Sequence, residues 1–153
     1  MSQGIFKALS FLEDQIEDIT PKSDLSHSFV CHNRANGLLP PLEQRRSSNR
    51  YFELELESLP EDDGAAGVSG RRRVLVVCRV RYDIPNDLAY RRRMMAEDAE
   101  YILTKLKGPD YSLSTTGIVS VIPEPDAVVD PVEIDNTIAH ILSIPFTLLY
   151  LEA

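Results

Sequence analysis

Cys31, His32 and Asn33 stand side by side in a chain that has only two cysteines and three histidines. They are the residue types of a cysteine-protease centre: a thiolate, an imidazole to take its proton, and an amide to orient the imidazole. The spacing works against that chemistry. Neighbours in an extended strand point to opposite faces, so Cys31 and His32 would not meet. Enzymes of this kind also assemble the three groups from distant parts of the chain. A zinc site made of His27, Cys31 and His32 lacks a fourth ligand at a workable spacing. His140 is isolated and reads as a structural or surface histidine. No Gly-x-Gly-x-x-Gly loop is present to cradle a phosphate. Carboxylates are plentiful, but most fall on expected solvent faces or loops, and no pair stands out for acid–base work. The expectation is therefore no catalytic, cofactor-binding or metal site, and a protein that is not an enzyme.

Charge clusters carry more information. Glu61, Asp62 and Asp63 begin a long loop, running from about Pro60 to Gly70, and Arg71, Arg72 and Arg73 follow it. A second triplet, Arg91, Arg92 and Arg93, falls in the first turn and a half of an expected helix. Cations there oppose the positive end of the helix dipole, at a cost of about 0.3–1 kcal/mol each when exposed. The bland reading of all nine residues is solvated charge. The sharper one makes them protein-interface candidates, with acidic and basic patches completing one another between copies of the chain. The net charge of -8 argues against nonspecific nucleic-acid binding by the whole surface, without excluding a local basic patch.

The elements that position these residues follow from periodicity. Tyr51–Glu57 alternates Phe52, Leu54 and Leu56 with three glutamates, and Arg73–Tyr82 alternates Val74, Val76, Cys78 and Val80 with the opposite face. Period-two alternation marks half-buried strands. The two form a long hairpin whose partners match even with even, which places Glu57 near Arg73. Ile5, Leu9, Leu12, Ile16 and Ile19 trace one stripe of a helix over residues 2–19, which Pro21 ends. A second helix follows Pro85, with Asn86 or Asp87 as cap and Leu88, Met95, Ala99, Ile102 and Leu106 as its stripe. Gly108-Pro109 stops it. Strands are expected at about 113–123 and 144–151. A Pro- and Asp-rich loop over 124–130 and a short helix or irregular segment around 135–142 lie between them. Residues 21–49 read as a long loop or arm.

At 153 residues, with 43% hydrophobic and 26% charged residues, the chain suits one domain with a real core. The expected class is α+β: a mixed, mainly antiparallel sheet with a long β-hairpin, packed by an N-terminal and a central helix. Cys31 and Cys78 are too few for a disulfide scaffold and read as reduced and structural, which favours synthesis in the cytosol. The N-terminus lacks the pattern of a signal peptide. No apolar run approaches the roughly 18 residues of a membrane span.

The order of these parts is similar to that of the tail-terminator proteins of long-tailed bacteriophages. The resemblance rests on the N-terminal helix, the hairpin ending Arg79-Val80-Arg81-Tyr82, the helix containing Asp98-Ala99-Glu100-Tyr101-Ile102-Leu103, and the closing strand Pro145-Phe146-Thr147-Leu148-Leu149-Tyr150. It covers roughly residues 1–20 and 50–153; residues 21–49 depart from the compact members. It implies a structural protein of the virion, made in the host cytoplasm, that forms a homohexameric ring at the neck. That ring caps the tail tube and meets the head–tail connector or head-completion protein. It implies no cofactor, no membrane and no specific nucleic-acid binding, with DNA able to pass through the ring. The resemblance supplies no catalytic residues. The rivals are another neck component, such as a connector or tail-completion protein; a small hydrolase or nuclease using the carboxylates, against which the lack of a histidine, cysteine or metal constellation argues; and, more remotely, a bacterial adaptor or binding module.

Overall fold

Two alternating segments build the middle of the sheet, as their periodicity requires. The computed structural model describes residues 4–22, 27–32, 42, 50–62, 70–82, 88–107, 111, 116–125, 127–134 and 137–152. Its elements are α1 (Ile5–Glu17), β1 (Val30–Cys31), β2 (Tyr51–Leu56), β3 (Glu61–Asp62), β4 (Arg71–Tyr82), α2 (Leu88–Lys107), β5 (Ile118–Pro123), β6 (Val128–Ile134) and β7 (Thr137–Leu151). The strands form a seven-stranded sheet in the order β1-β2-β4-β7-β5, with β3 also on β4 and β6 also on β7. Among the described residues only β1 and β2 pair in parallel; the other pairings are antiparallel and the class is α+β.

Leu54 pairs with Cys78 and Phe52 with Val80, so the hairpin has the even-with-even register. The even-numbered side chains from Val74 to Tyr82 of β4 and from Leu142 to Tyr150 of β7 share one core cluster with Ala8, Leu12 and Ile16 of α1 and Met94, Ile102 and Leu106 of α2. Both helices therefore cover the same face of the sheet. Each large apolar side chain buried there contributes about 1.5–3 kcal/mol. The opposite face is not bare. Val77, Ile141 and Leu149 are buried outside that cluster, and so is Leu42, whose carbonyl accepts a hydrogen bond from Nη1 of Arg81 at 3.3 Å. Residue 42, from the expected arm, thus sits beside the sheet.

Two glycines fix where the chain closes on itself. Gly4 has φ +59, and a Cβ there would lie 2.4 Å from the carbonyl oxygen of Glu152. Gly70, at φ +80, accepts the N–H of Glu152 at 2.7 Å. A side chain at position 4 would meet backbone in a conformation L-residues avoid.

Several expectations need correction. The first helix is Ile5–Glu17, shorter than 2–19 at both ends, with Gly4 outside it at φ 59, although Ile19 stays buried. Glu57 does not pair with Arg73. β2 ends at Leu56, the chain steps out over 57–60, and pairing resumes with Glu61 opposite Arg73 and Asp62 opposite Arg72. Glu61 and Asp62 are therefore strand, and the part of the expected loop from 63 to 69 lies outside the described residues.

The larger error is after β5. Residues 128–130 are strand, and 137–142 are strand rather than helix: β6 and β7 form a hairpin across which Ile134 pairs with Thr137. Pro131 is tolerated because β6 lies at the edge of the sheet. Pro145 sits in a central strand for a related reason. Its carbonyl accepts the N–H of Glu124, so its nitrogen also faces the break between β5 and β6 and no bond to β4 is lost. The cap and stop residues Pro85, Asn86, Asp87, Gly108 and Pro109 lie outside the described residues.

Candidate interaction surfaces

Of the residues that could have done chemistry, Cys31, His32 and Cys78 are held inside the fold, His27 is exposed, and Asn33 lies outside the described residues. Cys31 is buried where β1 passes under α1; its thiol donates to Glu13 Oε2 at 3.1 Å and its backbone N–H to Glu17 Oε2 at 3.2 Å. His32 is buried as well. Cys78 lies in the core, where burial, with smaller effects from Cys31 and Glu53, pushes its thiol far above the ordinary range. A thiol held protonated is a poor nucleophile. Among the described residues, no three His, Cys, Asp or Glu side chains gather as a metal site would require, and no helix is long and apolar enough to cross a membrane.

The most buried polar group is one the sequence reading missed. Arg50 and Asp98 are both fully buried, with Nε to Oδ2 at 2.7 Å and Nη2 to Oδ1 at 3.1 Å. The hydroxyl of Tyr82 donates to the same Oδ2 at 2.6 Å, and Nη1 of Arg50 donates to the carbonyl of His27 at 2.9 Å. Arg50 itself has φ 58. Its N–H donates to the carbonyl of Arg81 and its carbonyl accepts from Val30. One residue thereby ties β1, β4 and α2 together. Burial pushes the Asp98 carboxyl upward, against the lowering effect of its two hydrogen-bonded partners. Burial and the neighbouring Asp98 carboxylate raise the Tyr82 phenol. Every strong polar atom here has a partner, which suits a registry pin rather than a reactive centre.

The two arginine triplets have different fates. In β4, Arg73 meets Glu61 at 2.7 Å and Arg72 meets Glu152 at 3.0 Å, both in the open. Arg71 is half-buried at the start of the strand. The acidic and basic groups at this end of the sheet are thus partly matched within one chain. Asp63 lies outside the described residues. In α2, Arg91 is buried. Its Nη1 lies 2.8 Å from Nδ1 of His140 and donates to the carbonyl of Ile138 at 3.2 Å. Desolvation, then Arg91 and Arg92, hold the imidazole below its ordinary value. A guanidinium can only donate, so the contact fits the neutral tautomer in which Nδ1 accepts from Arg91 and Nε2 carries the proton. Arg92 and Arg93 are exposed.

No protein-family model matches this chain, and no curated protein is similar to it.

Beside Arg92 lies a cleft of about 480 Å³ between α2 and the β6–β7 hairpin. Met95, Ala96, Val129 and Leu142 supply an apolar lining, and Arg92 and His140 stand at its side. Val128, Val129, Ile138 and Tyr90 are exposed nearby on the same elements. At the other end of the sheet, in the step between β2 and β3, Leu59 is 87% exposed, within the exposed run Glu57-Ser58-Leu59-Pro60-Glu61. Single exposed leucines are common. One flanked by acids, opposite an apolar cleft flanked by an arginine, is more specific.

Proposed function

We propose that this chain is a tail terminator of a long-tailed bacteriophage: a structural protein without catalytic activity that forms a hexameric ring, caps the tail tube and meets the head-side connector. The observation that supports it most is how the side chains are distributed. Arg50, Asp98, Tyr82, Arg91 and both cysteines are committed to buried internal positions. Among the described residues, Leu56 and Leu59 are instead exposed near one end of the sheet and Tyr90, Val128, Val129 and Ile138 near the other, with Phe6 of α1 and Ile122 of β5 exposed as well. A ring needs two different patches on every copy, because its contacts are heterologous. The order of helix, hairpin, helix and closing strand supports the same reading.

The test is interruption of the gene in the genome that carries it, followed by electron microscopy of particles. Loss of a terminator gives headless tails of uneven length. Headless tails of normal length would instead favour another neck component. Intact virions of normal length would contradict both.

A further inference from the structure

We propose that the contact joining neighbouring copies seats Leu59 of one copy, with its flanking Glu57 and Glu61, in the cleft between α2 and the β6–β7 hairpin of the next. The inference rests on the ring reading and names the surfaces that reading requires.

Three observations point to a second copy as the occupant. The first is chemical fit. Leu59 is the most exposed large apolar side chain among the described residues; the exposed carboxylate of Glu57 lies two positions before it, and Glu61, two positions after it, already holds Arg73. The cleft offers Met95, Ala96, Val129 and Leu142 for the apolar part, with Arg92 beside it for an acid. In a chain of net charge -8, a cleft flanked by an exposed arginine is the unusual surface, and the acidic partner is the ordinary one. The second is that a copy cannot fill its own cleft. Glu57 and Ser58, just before Leu59, bond to Leu75 of β4, and Leu142 of the cleft pairs with Val80 of the same strand. Leu75 and Val80 are about 17 Å apart at the rise of an extended strand, beyond the reach of a leucine side chain. The third is direction. A patch at one end meeting a cleft at the other is head-to-tail, and such contacts close into rings when the rotation permits.

Two substitutions on exposed residues test this without touching the core: Leu59→Asp on the patch and Ala96→Arg in the cleft. Native mass spectrometry reads assembly, and circular dichroism checks the fold. The wild-type chain is expected as a ring, and each variant as a folded monomer, at least tenfold weaker in association. Mixed in equal amounts at high concentration, the two variants should form a heterodimer, because one retains the cleft and the other retains Leu59. Leu59→Ser and Ala96→Gln replace either variant that fails the fold check. Rings of both variants overturn the proposed contact and leave the ring reading standing. A mixture that stays monomeric also overturns the contact. A wild-type chain that is monomeric at all concentrations overturns both.

Discussion

Arg50 and Arg73 each hold a carboxylate oxygen at 2.7 Å, yet the two pairs differ in nearly everything that decides their worth. The side chains of Arg50 and Asp98 are 0% exposed, whereas those of Arg73 and Glu61 are 48% and 62% exposed. In water, attraction between two charges is weak, and holding two long side chains together has an entropic cost. In the core, attraction is strong, but so is the penalty for leaving either partner alone. Distance alone therefore does not rank these contacts. Arg91 falls between them: nearly buried, and paired with a neutral histidine rather than a carboxylate.

The largest expected effect is at the buried pair. Asp98→Ala leaves a guanidinium and a phenol in the core without their acceptor and should destabilise by about 3–5 kcal/mol in chemical denaturation. The double variant Arg50→Met with Asp98→Leu should lose much less than the sum of its singles. Additive losses would break the claim that these residues act as one unit.

Next comes Arg91→Ala, expected to reduce stability by about 1–3 kcal/mol, since it removes hydrogen bonds to His140 and to the Ile138 carbonyl inside the fold. A loss as small as that at Arg73 would place Arg91 with the surface arginines instead.

His140 sharpens the same point through pH. Its imidazole is held below the ordinary value near 6.5, so between the folded and unfolded values the unfolded chain binds more protons. This contribution is fully present above about pH 6.5 and is lost as pH falls towards the lower folded value. His140→Gln, which keeps an acceptor for Arg91, should flatten that part of the stability profile. An unchanged profile would contradict it.

The smallest effect is expected at the exposed pair. Arg73→Ala should change stability by no more than about 1 kcal/mol, and high salt should remove most of the difference.

What the sequence disclosed depended on period and on partner distance. β2 and β4 carry apolar residues on the even-numbered face and mostly glutamates and arginines on the other, so alternation gave their register directly even though Val77 and Arg81 are also buried. The first part of β7 is buried on both faces at Ala139, Ile141 and Leu142, which erases alternation there, and Pro131 reads as a loop signal although it occupies an edge-strand position that needs no donor. Asp98 stood in the sequence as a carboxylate three residues after Met95 and four before Ile102, on the buried stripe of α2. That was the sign of a hidden partner. The partner was not legible, because Arg50 lies 48 residues away in a basic stretch that reads as loop. Arg91 was legible in principle: it extends the same stripe back by four residues from Met95. The triplets look alike as text, but a strand turns successive residues to opposite faces, while a helix sends one inward and leaves the others out. Leu59 was overlooked because an apolar residue in a step between strands has no period to mark it.

The most direct test of the account is the mass of the purified wild-type chain, measured by native mass spectrometry across a concentration series and paired with negative-stain images. One dominant species of six copies with an open centre is expected. A monomer at every concentration, with no ring in the images, would contradict it.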